Sequence, residues 1–106
     1  MANAFKNIAT LVASTSDTTI YTGPTATEAI VKNINLYNNH SGTVDVIVKI
    51  TDTSASTTVI VQKETMSAAG ESSLTGPFVL EESDTLQLNC ATGGVIYAFA
   101  SVLEIS

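Results

Sequence analysis

LTGPFVLEESDTLQLNCATGGVIYAFASVLEIS, residues 74–106, is the stretch whose reading decides the fold. Apolar runs alternate in it with turn formers: Gly76-Pro77, the acidic group Glu81-Glu82-Ser83-Asp84, and Gly93-Gly94. Short runs rich in β-branched and aromatic residues, bounded in this way, are strands. Residues 78–80 make the first. In the second, Leu86, Leu88 and Cys90 alternate with Thr85, Gln87 and Asn89, which puts Cys90 on the core face as a small buried hydrophobe. The last run, residues 95–105, is the longest and least polar. Val95, Tyr97, Phe99, Leu103 and Ile105 share one face, and Ile96, Ala98, Ala100 and Val102 share the other. Antiparallel strands in a lone sandwich are seldom apolar on both faces. Two readings explain the second face, a central strand covered by its own domain or burial against another subunit; the second is the favoured expectation, with Tyr97 and Phe99 in the core or at that contact.

Upstream, residues 43–51 (TVDVIVKIT) alternate most cleanly, with Val44, Val46, Val48 and Ile50 inward and Asp45 and Lys49 toward water. Residues 57–64 (TTVIVQKE) continue the meander, with Val59 and Val61 opposite Ile60 and Gln62. Residues 28–38 (EAIVKNINLYN) form a longer strand with Ile30, Ile34 and Leu36 on one face and Val31, Asn33, Asn35 and Tyr37 on the other. A helix is the competing reading there, but the Asn-Asn-His-Ser-Gly that follows reads as a hairpin loop. Residues 8–14 and 19–22 are shorter strands, the latter stopped by Gly23-Pro24 because proline cannot donate into a ladder. Residues 66–73 (MSAAGESS) read as a small-residue loop. About eight short strands spaced in this way predict an all-β, antiparallel β-sandwich of jelly-roll-like type. It forms one domain over residues 8–106, preceded by an arm, residues 1–7, whose one large apolar side chain is Phe5.

Composition narrows the function. Of 106 residues, 44% are hydrophobic and 13% charged, which is too apolar for disorder. The net charge is -6, the only cations are Lys6, Lys32, Lys49 and Lys63, and there is no arginine. Binding nucleic acid requires cations to neutralise phosphates, so direct DNA or RNA binding is not expected. A single cysteine excludes an internal disulfide, and with one histidine, His40, it offers no zinc site. Residues 8–13 are too short to span a bilayer and no export leader precedes them, so synthesis and use in the cytosol without membrane contact is the expectation.

No motif builds a catalytic site. The acidic group at residues 81–84 lacks the glycine and ligand spacing of a calcium loop and reads as a solvated hairpin turn. His40 has no nucleophile or orienting partner near it in sequence. Asp17 and Asp84, a conceivable glycosidase pair, sit in turns where Asp is favoured anyway. Gly93-Gly94 is followed by neither lysine nor a helix start and is a turn, not a phosphate cradle. Tyr21, Tyr37 and Tyr97 suit either sugar stacking or, more commonly, a protein interface. No catalytic residue, metal ligand or cofactor is expected.

Three segments carry a resemblance. TIYTGP at residues 19–24, TEAIVKNI at 27–34 and NNHSG at 38–42 are similar to small virion proteins of tailed bacteriophages of the marine or cyanophage type. In those, a Y-T-x-P step leads into an A-I-V-K-x-I strand and an N-x-S-G loop. The second half agrees through Ala69-Gly70-Glu71, Val79-Leu80 and Asp84-Thr85-Leu86, although glycine often stands where this chain has Ser83. The resemblance runs from Thr19 to Ile105. It implies a non-enzymatic virion structural protein, foremost a capsid decoration (cement) subunit. The implied partners are the major capsid protein and copies of itself, closing as a trimer, within a virion assembled in the host bacterial cytoplasm. A neck or tail adaptor, a fibre component, or a carbohydrate-binding module for host recognition are the alternatives. Phe5, Tyr21, Tyr37, Tyr97 and Phe99 are the expected interface residues.

Overall fold

The computed structural model describes residues 3–12 and 15–106. They form eight strands: β1 (Asn3–Val12), β2 (Thr18–Thr22), β3 (Glu28–Asn38), β4 (Val44–Asp52), β5 (Thr57–Met66), β6 (Glu71–Leu80), β7 (Thr85–Cys90) and β8 (Ile96–Ile105). The strands make two antiparallel four-stranded sheets, ordered β1-β8-β3-β6 and β2-β7-β4-β5. Those orders are a jelly roll, so the expected all-β sandwich is what the chain forms. Among the described residues there is no helix, and so none long and apolar enough to cross a membrane.

The core lies between the sheets. From β3 it takes Ala29, Val31, Ile34 and Leu36; from β4, Val44, Val46 and Val48; from β7, Leu86, Leu88 and Cys90; and from β8, Ile96, Ala98, Ala100 and Val102. Each fully buried Val, Leu or Ile contributes roughly 1.5–3 kcal/mol through removal from water. Size is matched across strands, since Ala98 and Ala100 of β8 stand in register with Leu36 and Ile34 of β3.

Several expectations need correction. Only β4 and β5 join within one sheet; every other connection crosses between sheets. The turns around His40, at residues 81–84 and at Gly93-Gly94 are therefore sheet-to-sheet crossings and not hairpins. Turn residues specify that the chain reverses, not which strand it then pairs with. Asn3–Asn7, expected as an arm, is the first half of β1 and pairs with Ser101–Ile105. The rest of that expected arm, Met1 and Ala2, and the end of the expected first strand, Ala13 and Ser14, lie outside the described residues. Strand β6 runs back to Glu71 through residues read as loop. Its Pro77 is tolerated because β6 is an edge strand, where a missing N–H leaves no ladder bond unmade.

The largest correction is in β3. The pairing with β8 steps from Val31–Val102 to Asn33–Ser101, which leaves Lys32 as an extra residue. A bulge of this kind reverses the alternation. Ala29 and Val31 face the core before it, and Ile34, Leu36 and Asn38 after it. Ile30 thus faces outward, contrary to the strict period-two reading. A second shift lies in β5, where Val48 pairs with Gln62 but Lys49 with Ile60. Val61 is the residue passed over, so Val59 and Val61 no longer share a face by simple alternation.

Polar contacts pin the crossings at both ends. At one end Asn38, fully buried, donates from Nδ2 to the carbonyls of Gly42, Met66 and Ser67 and accepts from the His40 N–H. At the other, Gly23 N–H donates to Asp84 O and Ser83 N–H donates to Gly23 O. A Cβ on Gly23 would lie 2.2 Å from Glu81 O, so the approach requires glycine. Ser83 has φ of 73°, in the left-handed region that glycine enters without strain.

Candidate interaction face

The outward face of the β1-β8-β3-β6 sheet is built in rows that run across the strands, about 4.8 Å per step. One row is Phe5, Leu103, Ile30 and Val79, all apolar, in consecutive register on the four strands. Phe5 is 78% exposed and Val79 58%, while Leu103 and Ile30 are half-buried. The next row is polar: Asn7, Ser101, Asn33 and Thr75. Beyond it, Ala9, Phe99, Asn35 and Ser73 form a mixed row, and then Tyr97, Tyr37 and Glu71. The face thus has an apolar end and an aromatic end separated by a polar belt.

At the aromatic end Tyr37, Tyr97 and Phe99 with Asn35 and Glu71 surround a shallow depression of about 430 Å³. The Tyr37 and Tyr97 rings are 6.3 Å apart and tilted by 34°. Asn39 Nδ2 donates to the Tyr97 hydroxyl, and Ser73 Oγ donates to Asn35 Oδ1. Tyr97 and Phe99 are outside the core, because β8 turns its smaller residues inward.

The opposite outward face, on the β2-β7-β4-β5 sheet, is largely polar. It carries Asp45, Lys49 and Thr51 of β4, Thr58, Lys63 and Thr65 of β5, and Thr85, Gln87 and Asn89 of β7, with Ile47 and Ile60 as the apolar exceptions. Lys49 Nζ lies 3.1 Å from Asp17, which also accepts from Asn89 Nδ2. The Asn89 hydrogen bond and then Lys49 hold the Asp17 carboxyl below the usual carboxylate range. An exposed pair of this kind adds little stability.

Four of the five expected interface residues, Phe5, Tyr37, Tyr97 and Phe99, lie on the one outward face. Tyr21 does not join them. It is half-buried, and its hydroxyl donates to Glu104 Oε2, tying β2 of one sheet to β8 of the other. Burial and the Glu104 carboxylate push its phenol above the ordinary value. Leu103 was read on the same strand face as Tyr97 and Phe99, as the structure has it, but Ile30 and Val79 escaped the sequence reading. The bulge hid the orientation of Ile30, and Val79 fell in a run too short to assign a face.

The groups with chemical potential are engaged in structure. Asp84 is 4% exposed, and its two carboxylate oxygens accept from the N–H groups of Thr53 and Glu81, so the acidic turn is internally hydrogen-bonded at this residue and not simply solvated. Asp52, Glu81 and Asp84 bring carboxylate oxygens within 4.8 Å of one another. The Asp84 oxygens there already serve the backbone as acceptors. His40 is half-buried, its Nδ1 accepting from the Gly42 N–H. Cys90 is buried with Sγ 3.0 Å from Thr92 O, and burial pushes its thiol up, away from the reactive thiolate. Asp17 and Asp84 serve separate contacts and form no described pair.

No protein-family model matches the chain, and no curated protein matches it in sequence. Solved structures do share its fold. It is similar to a chain in the acidic stable capsid structure of Helicobacter pylori bacteriophage KHP30, with 10% identity over 100% of this chain and 94% of that one, TM-score 0.59. It is similar to part of a chain of the T13 IBDV viral particle, with 10% identity over 96% of this chain and 30% of that one, TM-score 0.60. The Drosophila NLP-core, solved for pentamer formation and histone binding, is similar at 14% identity over 96% of this chain and 98% of that one, TM-score 0.63. At such identities the likeness is one of fold. Sequence likeness specific to cyanophages is not among these findings.

Proposed function

We propose that this chain is a non-enzymatic structural protein of a virion, and within the virion a capsid decoration subunit. The observation that carries the reading is the apolar row Phe5-Leu103-Ile30-Val79 on an outward sheet face. Contiguous apolar surface at the end of a rigid sheet suits a permanent contact better than free solution. The fold likeness to capsid chains supports the same reading, above all the KHP30 chain, which is of nearly this chain's length. The engagement of His40, Asp84 and Cys90 in local structure fits a protein without catalysis.

In this reading the apolar row seats on the major capsid protein, and the polar face of the other sheet points to solvent. Copies close around local three-fold positions as a trimer, since closed rings leave no unsatisfied interface. Many modest contacts then add through multivalency to resist pressure from packaged nucleic acid, which the chain itself does not touch. Assembly takes place in the host bacterial cytoplasm.

Cryo-electron microscopy of the intact particle tests this. Density for the chain repeated over the icosahedral shell, with Phe5 and Val79 against the underlying capsid, is the expected result. Density confined to a vertex, neck or tail would overturn the decoration role and leave an adaptor or fibre component.

A further inference from the structure

We propose that the aromatic end of the outward face is a binding site for neutral saccharides, separate from the apolar row used for attachment. Three features carry this. The first is an apolar floor: Tyr97 and Phe99 are 44% and 45% exposed and Tyr37 38%, so the rings present surface to a ligand instead of closing on each other. A pyranose has an apolar face of ring C–H groups and an edge of hydroxyls. It therefore matches aromatic rings flanked by a few polar groups, the usual build of a small-ligand site.

The second is the polar rim. The Tyr97 oxygen accepts from Asn39, which leaves its own hydrogen for donation. Asn35 has its carbonyl oxygen occupied by Ser73 and carries two amide hydrogens to offer. Glu71, exposed at the edge of the depression, supplies carboxylate acceptors. Donors and acceptors thus alternate around the rings, as a polyol requires. A hydrophobic protein anchor would leave these groups desolvated and unpaired, at a cost.

The third is charge. The depression has Glu71 as its charged lining residue and no lysine. Lys6 is engaged with Glu104, Lys49 and Lys63 belong to the other sheet's outward face, and Lys32, exposed at the β3 bulge, lines a different depression with Ile30, Gly76 and Pro77. Anionic ligands, including phosphorylated or uronate-rich glycans, are therefore repelled and uncharged ones favoured. The volume of about 430 Å³ falls within the range of small-ligand sites, and the shallow shape suits one or two sugar units of a longer chain.

The test is a glycan array probed with the labelled protein, followed by NMR titration with the neutral oligosaccharide that binds best. The expected result is binding of neutral glycans over acidic ones, with chemical-shift changes centred on Tyr37, Tyr97 and Phe99. Tyr97→Ala and Phe99→Ala should each weaken binding at least tenfold. Both side chains are exposed, so unchanged thermal melting confirms that these variants fold. Phe5→Ser should bind saccharide normally, which separates failure of this site from failure of the attachment row. The proposal is overturned if no neutral glycan on the array or at millimolar concentration in solution binds. It is equally overturned if binding survives both aromatic substitutions, or if the aromatic variants instead dissolve an oligomer seen by sedimentation, which would make the depression a protein contact.

Discussion

Glu104 faces inward near the end of β8, 8% exposed, where a bare carboxylate would be costly. The Tyr21 hydroxyl foremost, and then Lys6 at 3.2 Å, hold its carboxyl below the ordinary range against the opposing effect of burial. Two pH limits follow. Because the folded carboxyl titrates lower than the unfolded one, its contribution is complete above about pH 4.3 and is lost as pH falls through the folded value. Because the folded phenol titrates higher, its contribution is complete below about pH 10 and is lost as pH rises beyond. Tyr21→Phe removes the donor and keeps the ring. The variant is expected to lose roughly 1.5–3 kcal/mol at neutral pH, the usual worth of a hydrogen bond to a charged group. Urea titrations of both proteins from pH 3 to 11 check this: the gap should narrow at each extreme. A gap independent of pH would mean the hydroxyl acts only through packing.

Strand β3 shows how one residue arranges an element. Lys32 is the extra residue that lets Val31 and Ile34 both point into the core. Deleting Lys32 restores strict alternation and forces a choice: either Ala29 and Val31, or Ile34, Leu36 and Asn38, turn outward. The deletion variant is expected to lose its cooperative thermal transition, measured by circular dichroism, whereas Lys32→Ala, which keeps the backbone count, should melt within about 1 kcal/mol of the parent. Much of this architecture was legible in advance. Alternation in β4 and β7 is strict, so Val44, Val46, Val48, Leu86, Leu88 and Cys90 were placed on the core side from sequence alone. Residues 28–38 hid their bulge because Asn33 and Lys32 are equally suited to water. Neighbouring Gly76-Pro77 hid the length of β6, since an edge position that excuses proline is a property of the sheet and not of the segment. The candidate face was half visible: Phe5, Tyr37, Tyr97 and Phe99 announce themselves by type, but their grouping depends on registers across β1, β8 and β3 that pair residues up to a hundred positions apart.

At the scale of the molecule, the two outward faces differ in kind, and that asymmetry gives the sandwich a direction. Lys49 and Lys63 belong to the polar face, and Phe5 and Val79 to the other. If attachment uses the apolar row, Lys63 should react with an amine-specific label equally well in the free protein and in the assembled particle. Hydrogen exchange over the first half of β1 and the second half of β6 should slow in the particle. Protection of Lys63 on assembly would reverse the proposed orientation. The sheet order also has a consequence for how the chain is made. Strand β8 lies between β1 and β3, so neither of those strands has its central neighbour until synthesis has passed Ile105. Until the eighth strand is made, β1 therefore has no partner in its sheet and β3 has only β6. A chain stopped before β8 thus carries open strand edges on β1 and β3, a template for pairing with other chains.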